Sequence, residues 1–298
     1  MSPTGRETAL AGELALGRRR GRLRERVEPI SLLALPGTLY LSVAFGVPLL
    51  LLLVRSVYGD GGLSVASYVR FFEDPFSWAV IWNTLKAALL TTLICLLAGY
   101  PAAFALARAS GALQALLLTA LILPLSVGVV VKAFAWTILL RSDGIVNRLL
   151  LLTGLTEAPV RLIFTQPGLI LGAVNVFLPF MVLPIFAVVK LIDRSLLDAA
   201  ATLGASPVHR FLHVTLPLTM PGVIAGVAFV FSMSVSMYVI PTLLMGDRFK
   251  TLSILIARSF LFMRDRAAGS TLAVVLLLIA VAVVVASAML SRRHQHAR

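Results

Sequence analysis

Residues Asp198–Pro217, DAAATLGASPVHRFLHVTLP, form a polar, helix-breaking insert between two apolar stretches, each long enough to cross a bilayer. The spacing predicts two short helices meeting at an angle. Ser195 is placed to cap the first, with Asp198 three residues on closing a capping box, and Ala199, Ala200 and Ala201 extend it with minimal side-chain bulk. Gly204 permits a tight turn, and Ala205 lies beside the same bend. Ser206 followed by Pro207 is a second start signal, a cap residue ahead of a proline suited to the first helical position, and Pro217 with Pro221 is expected to stop the second helix. The result is a small-residue elbow open to close approach by a partner. DNA-binding helix-turn-helix units also bend at a glycine, but a loop tethered at both ends to membrane spans has little freedom to lay a helix in a major groove.

Composition explains why the flanking stretches are read as spans. Of 298 residues 59% are hydrophobic and 13% charged, too little charge to cover a water-facing surface, so the chain is an integral membrane protein. Runs of bilayer-crossing length occur at 30–54, 87–107, 115–140, 168–189, 222–244 and 270–290, which makes six spans. The shorter stretch 252–263 is interrupted by Arg258 and fits an interfacial or re-entrant helix. Arg18, Arg19, Arg20, Arg22, Arg24 and Arg26 precede the first span and place the N-terminus in the cytoplasm; six spans return the C-terminus, with Arg292, Arg293 and Arg298, to the same side. The insert at 198–217 then also faces the cytoplasm.

A net charge of +13 does not require nucleic acid, because basic residues spread over loop ends are what membrane topology demands. The catalytic inventory is thin. His209, His213, His294 and His296 all lie in cytoplasmic segments, and the single Cys95 sits inside the second span. His209 and His213 share a helix face but lack an evident third metal ligand. No Gly-Lys dipeptide occurs, so there is no phosphate-binding loop, and ATP is not hydrolysed by this polypeptide. All 13 Asp and Glu residues lie outside the spans, which weakens a reading as a proton-coupled carrier.

Polar groups within the spans are the candidates for a passage. Lys132, about two turns inside the outer end of the third span, either snorkels outward or faces a wet interior. Trp136 shares its face, as a second passage residue or an interfacial anchor. Asn175 in the fourth span and Ser232, Ser236 and Tyr238 in the fifth offer hydrogen-bonding groups to a permeant or tie helices together.

The insert resembles the cytoplasmic signature loop of binding-protein-dependent ABC importer permeases, through Asp198, Ala199, Ala200, Gly204, Val214, Leu216 and Pro217. The family usually carries Glu where this chain has Asp198. Phe134-Ala135-Trp136, Phe177-Leu178-Pro179-Phe180 and the run Asp193–Asp198 look most like the spermidine/putrescine-type permeases. The resemblance implies an all-α membrane protein with the six-helix type I importer fold: a basic tail at 1–29, a permease domain at 30–290 with a coupling-helix loop at 190–220, and a tail at 291–298. It implies that Asp198, Ala199, Ala200, Gly204, Ala205, Ser206, Pro207, Leu216 and Pro217 dock a cytoplasmic ATPase. The expected assembly, in the bacterial inner membrane and its lipid, has a second, homologous permease subunit, two ATPase copies that carry ATP and magnesium, and a periplasmic or lipid-anchored binding protein. No cofactor is expected on this chain. An ion-coupled secondary transporter and a non-transporting scaffold remain as alternatives, and an anionic or zwitterionic solute stays open beside a polyamine.

Overall fold

A computed structural model describes residues 29–59, 62–246 and 249–296. The basic tail up to residue 28, with its arginine cluster, and Arg248 and Arg298 lie outside the described residues. Helix α1 spans Pro29–Val57. A two-residue antiparallel pair, β1 Tyr58–Gly59 and β2 Gly62–Leu63, and the short helix α2, Ala66–Glu73, lead to α3, Pro75–Arg108. Asp74 accepts the Phe76 N–H at 3.0 Å and Pro75 takes the first turn, so α3 starts well before the apolar run at Ala87. Pro101 lies inside α3 without ending it.

The third apolar run is not straight. Helix α4, Gly111–Ile122, passes through a 3₁₀ turn at Leu123–Ser126 into α5, Val129–Leu139, and the two halves meet at 101°. Pro124 lacks an amide proton and its ring collides with the preceding turn, while Gly128 opens the second half, so a break replaces the expected continuous span 115–140. Counted as one, the bent pair brings to six the helices among the described residues that are long and apolar enough to cross a membrane.

Helix α6, Ile145–Leu152, precedes α7, Gln166–Lys190. The elbow comes next as α8, Arg194–Thr202, and α9, Pro207–Arg210. A π-turn at Phe211–Thr215 feeds α10, Leu216–Val235. Helix α11, Val239–Met245, leads to α12, Leu252–Arg258, extended by a π-turn to Met263, and α13 covers Arg266–His296. The stretch 252–263 is a short apolar helix, below the length a crossing needs.

Helices α3, α7 and α10 pack on one another around Cys95, Met181, Ile185 and Val230, all fully buried. Glycine sets the approach. A Cβ at Gly226 would lie 2.8 Å from Met181 Sδ, one at Gly99 2.9 Å from Met181 Cγ, and one at Gly222 2.9 Å from the Pro184 carbonyl and 3.0 Å from Ile185 Cα. Gly222 and Gly226, four apart, let the α10 backbone lie directly on α7, as small residues do where apolar burial gives no net drive between helices in lipid. Outward faces carry exposed Leu93, Leu97, Phe229 and Leu278, suited to hydrocarbon contact.

Candidate functional site

The elbow begins with a correction to the expected cap. Asp193, not Ser195, caps α8: its Oδ1 accepts the Ser195 N–H at 2.9 Å, and the helix has already started at Arg194. Both residue types cap well, but the chain leaves α7 through a turn at Leu191 and Ile192 that puts Asp193 in extended backbone and Ser195 inside the first turn. The hydrogen bonds from Ser195 hold the fully exposed Asp193 carboxyl below its ordinary range.

Helix α8 closes as a Schellman motif, with Ala205 N–H bonded to Ala200 O at 3.1 Å and Gly204 N–H to Ala201 O at 3.0 Å. Gly204 has φ +81°, the left-handed conformation such a close requires, and no atom lies within 4 Å of where its Cβ would be. Ser206 Oγ accepts the His209 N–H at 3.3 Å and Pro207 takes the first turn of α9, as the sequence predicts. Asp198, Ala199, Gly204, Ser206 and Pro207 are exposed; Ala200 and Ala205 are half-buried.

Pro217 and Pro221 do not stop the chain. The Leu216 N–H bonds back to Phe211 O across the π-turn, and this register change delivers Pro217 to the first turn of α10, where a missing amide proton is tolerated. The helical path therefore runs from Pro207 to Val235, and Leu216 and Pro217 belong to the span beyond the elbow. His209 and His213 stack at 3.9 Å, and the described residues contain no group of three or more metal-ligating side chains.

The passage candidates fall into two places. Lys132 is half-buried in the first turn of α5, just after the break, so it stands at a helix start rather than deep in a straight span. Trp136, one turn on, lies over Gly172 of α7, where Leu244 and Ile240 of α11 also meet. Asn175, one turn beyond Gly172 along α7, is exposed. Helix α10 ends at Val235, so Ser236 and Tyr238 occupy a bend and not the expected continuous fifth span; the Ser236 hydroxyl donates to Ser232 O at 2.9 Å. Sequence reasoning gives no signal for Thr91, which with Ser232 and Ser234 keeps a buried hydroxyl oxygen without a hydrogen-bond partner among the described residues.

With this geometry in place, comparison with known proteins is decisive: residues 99–298 match the family described as binding-protein-dependent transport system inner membrane component. The chain belongs to this family. The permease is 34% identical over 232 residues to the spermidine/putrescine transport system permease protein PotB of Haemophilus influenzae, covering 76% of this chain and 81% of that one. It is 34% identical over 213 residues to PotB of Escherichia coli, covering 72% and 77%. Among solved structures, a bacterial ABC transporter that imports the acidic polysaccharide alginate shares its fold with a TM-score of 0.74 at 18% identity, covering 92% of this permease and 99% of that chain. The methionine ABC transporter MetNI gives 0.54 at 16% identity, covering 74% and 98%. The molecule is thus a multi-pass inner-membrane permease subunit of an ABC importer with the type I fold.

Proposed function

We propose that this permease forms half of the pathway of an ATP-driven importer for a polyamine-like cation, and that a separate cytoplasmic ATPase engages it at the elbow. The observation that carries the reading is the elbow itself. Gly204 turns at φ +81° in open space among small and short residues, on a chain without a phosphate-binding loop. Asp198, Ala199, Ala200, Gly204, Ala205, Ser206 and Pro207 present the docking surface; Leu216 and Pro217 carry its movement into α10. ATP and magnesium belong to the ATPase, two copies of which serve this subunit and a homologous second permease, while a binding protein delivers solute from outside. Both termini and the elbow face the cytoplasm. Closure of the ATPase pair moves α8 and α9, and the spans alternate between inward-open and outward-open states.

Similarity to permeases named for spermidine and putrescine supports the solute class. The spans of this chain hold no carboxylate, so Trp136 and Tyr238 offer ring faces to the cation and the second permease supplies acidic groups. Vesicles containing this permease with its partner permease, ATPase and binding protein test the reading: spermidine uptake should require ATP and all four components. Uptake by this chain alone under a sodium or proton gradient would replace it with a secondary transporter. Calorimetry of the binding protein against spermidine, amino acids and phosphonates tests the solute separately.

A further inference from the structure

Where the end of α3 meets the elbow, a cleft of about 650 Å³ opens between Tyr100, Phe104 and Arg108 on one wall and Arg210, Phe211 and Thr215 on the other. Tyr100, Phe104 and Arg108 are spaced four apart and share one face of α3. The Tyr100 and Phe104 rings lie 5.0 Å apart, Phe211 meets Tyr100 edge-on at 6.0 Å, and the Arg108 guanidinium sits 6.0 Å from the Phe104 ring. Among the described residues the lining holds two guanidinium groups and no carboxylate. Arg210 Nε is shut off from solvent, with no acceptor in hydrogen-bond reach among the described residues. An anion in the cleft would pair with the two guanidinium groups that line it.

Depth identifies the source of the anion. At about 1.5 Å per residue, the stretch of α3 from the exposed Trp82 to Phe104 covers about 33 Å, close to the ~30 Å thickness of a bilayer's hydrocarbon core. Trp78 and Trp82 mark one boundary, Phe104 the other, and Arg108 one turn further lies among the headgroups. We infer that the cleft holds the phosphate of an anionic phospholipid, gripped by Arg108 and Arg210, with its chain laid against Phe104 and Phe211. A lipid seated there props the π-turn against α3 and helps fix the angle at which the elbow is presented. Such a site needs only this chain and lipid, so it stands or falls independently of the solute and of the ATPase contact.

Native mass spectrometry of the purified full chain with phosphatidylglycerol or phosphatidylcholine tests it. Phosphatidylglycerol should be retained preferentially, and R108Q/R210Q should lower its retention about thirtyfold, the effect of removing two basic contacts near a membrane surface. R108K/R210K should keep most of the retention, and R141Q/R148Q all of it. A photoactivatable phosphatidylglycerol should label Phe104 or Phe211 in the unaltered chain, a readout that does not depend on any variant folding. Equal retention of the two lipids, or labelling elsewhere, would overturn the proposal. Displacement by excess inorganic phosphate would replace the lipid with a free anion. Loss of ATPase co-purification in R108Q/R210Q with lipid retention intact would assign the cleft to the ATPase instead.

Discussion

The Tyr100 hydroxyl on α3 and Thr219 Oγ1 on α10 lie 3.0 Å apart, joined across 119 residues of sequence, with Thr219 fully buried. This bond fastens α10 to α3 one turn past the π-turn, and on the proposed coupling a push on the elbow would reach α3 instead of dissipating at the start of α10. Tyr100→Phe keeps the ring against Phe211 and removes the bond, at a cost of about 1 kcal/mol. The expected result is a small fall in thermal stability and a larger fall in solute moved per ATP hydrolysed. Uptake and phosphate release measured in the same vesicles check it; an unchanged ratio would show that the bond transmits nothing.

At Gly204 two effects separate. Valine at φ +81° is strained by about 1–2 kcal/mol or more, whereas aspartate visits the left-handed region more readily, and no atom lies within 4 Å of where its Cβ would be. Gly204→Asp should therefore leave insertion and the elbow intact yet abolish uptake, because the new side chain blocks a partner's approach. Ala205→Leu should give a milder loss. Normal uptake by a stably inserted Gly204→Asp chain counts against docking at the elbow.

Local signals make the elbow legible: the left-handed glycine and the Ser206-Pro207 start need only neighbouring residues to act. Asp74-Pro75 is the same kind of start, but the apolar run by which the span is read begins only at Ala87 and so passes over the first turns of α3. Pro124 is legible as a kink, yet the 101° break also reflects packing of α5 against α11, a contact that hydropathy does not encode. Ser236 and Tyr238 read as span residues because hydropathy registers composition and not chain direction. The fit of Gly222 against Pro184 joins two spans and has no signature in either alone.

That fit yields an asymmetric pair of substitutions. A methyl at Gly222 meets the backbone of Pro184 and Ile185, which has nowhere to move, whereas one at Gly226 chiefly meets the flexible Met181 thioether, with the Met181 carbonyl at 3.1 Å. Each alanine should cost about 1–3 kcal/mol. Because Met181→Ala in this fully buried site costs stability by itself, the comparison is made within that background: there Gly226→Ala should cost much less than in the unaltered chain, a rescue that Gly222→Ala should not show. Thermal unfolding in detergent measures both, and equal rescue of the two would contradict the packing of α10 on α7.

Asp193 gives a pH dependence whose sign is fixed by its hydrogen bonds. Its carboxyl is held below the ordinary range in the folded chain, so the cap contributes fully above the carboxyl's unfolded value, declines below it, and is lost once pH passes the folded value. A spin label at the exposed Leu203 should stay ordered at neutral pH and gain mobility only in acid. Asp193→Asn, a capping side chain that does not titrate, should flatten the profile. Equal acid sensitivity in the variant would assign the transition to another group.

Thr84 joins α3 to α12 through a bond with no solvent to replace it. The Leu252 N–H, one of the first-turn donors that a helix leaves unpaired, reaches Thr84 Oγ1 at 3.0 Å, while the Thr84 hydroxyl donates to Val80 O at 2.8 Å. Both residues are buried, Leu252 fully. Thr84→Val preserves volume but strands the Leu252 amide, at about 1–3 kcal/mol, whereas Thr84→Ser keeps the acceptor. Serine should thus lie near the unaltered chain in thermal stability and valine well below it. Hydrogen exchange in a peptide covering Leu252 should rise in the valine variant alone, because loss of packing volume cannot account for a difference between an isosteric and a smaller side chain in that direction.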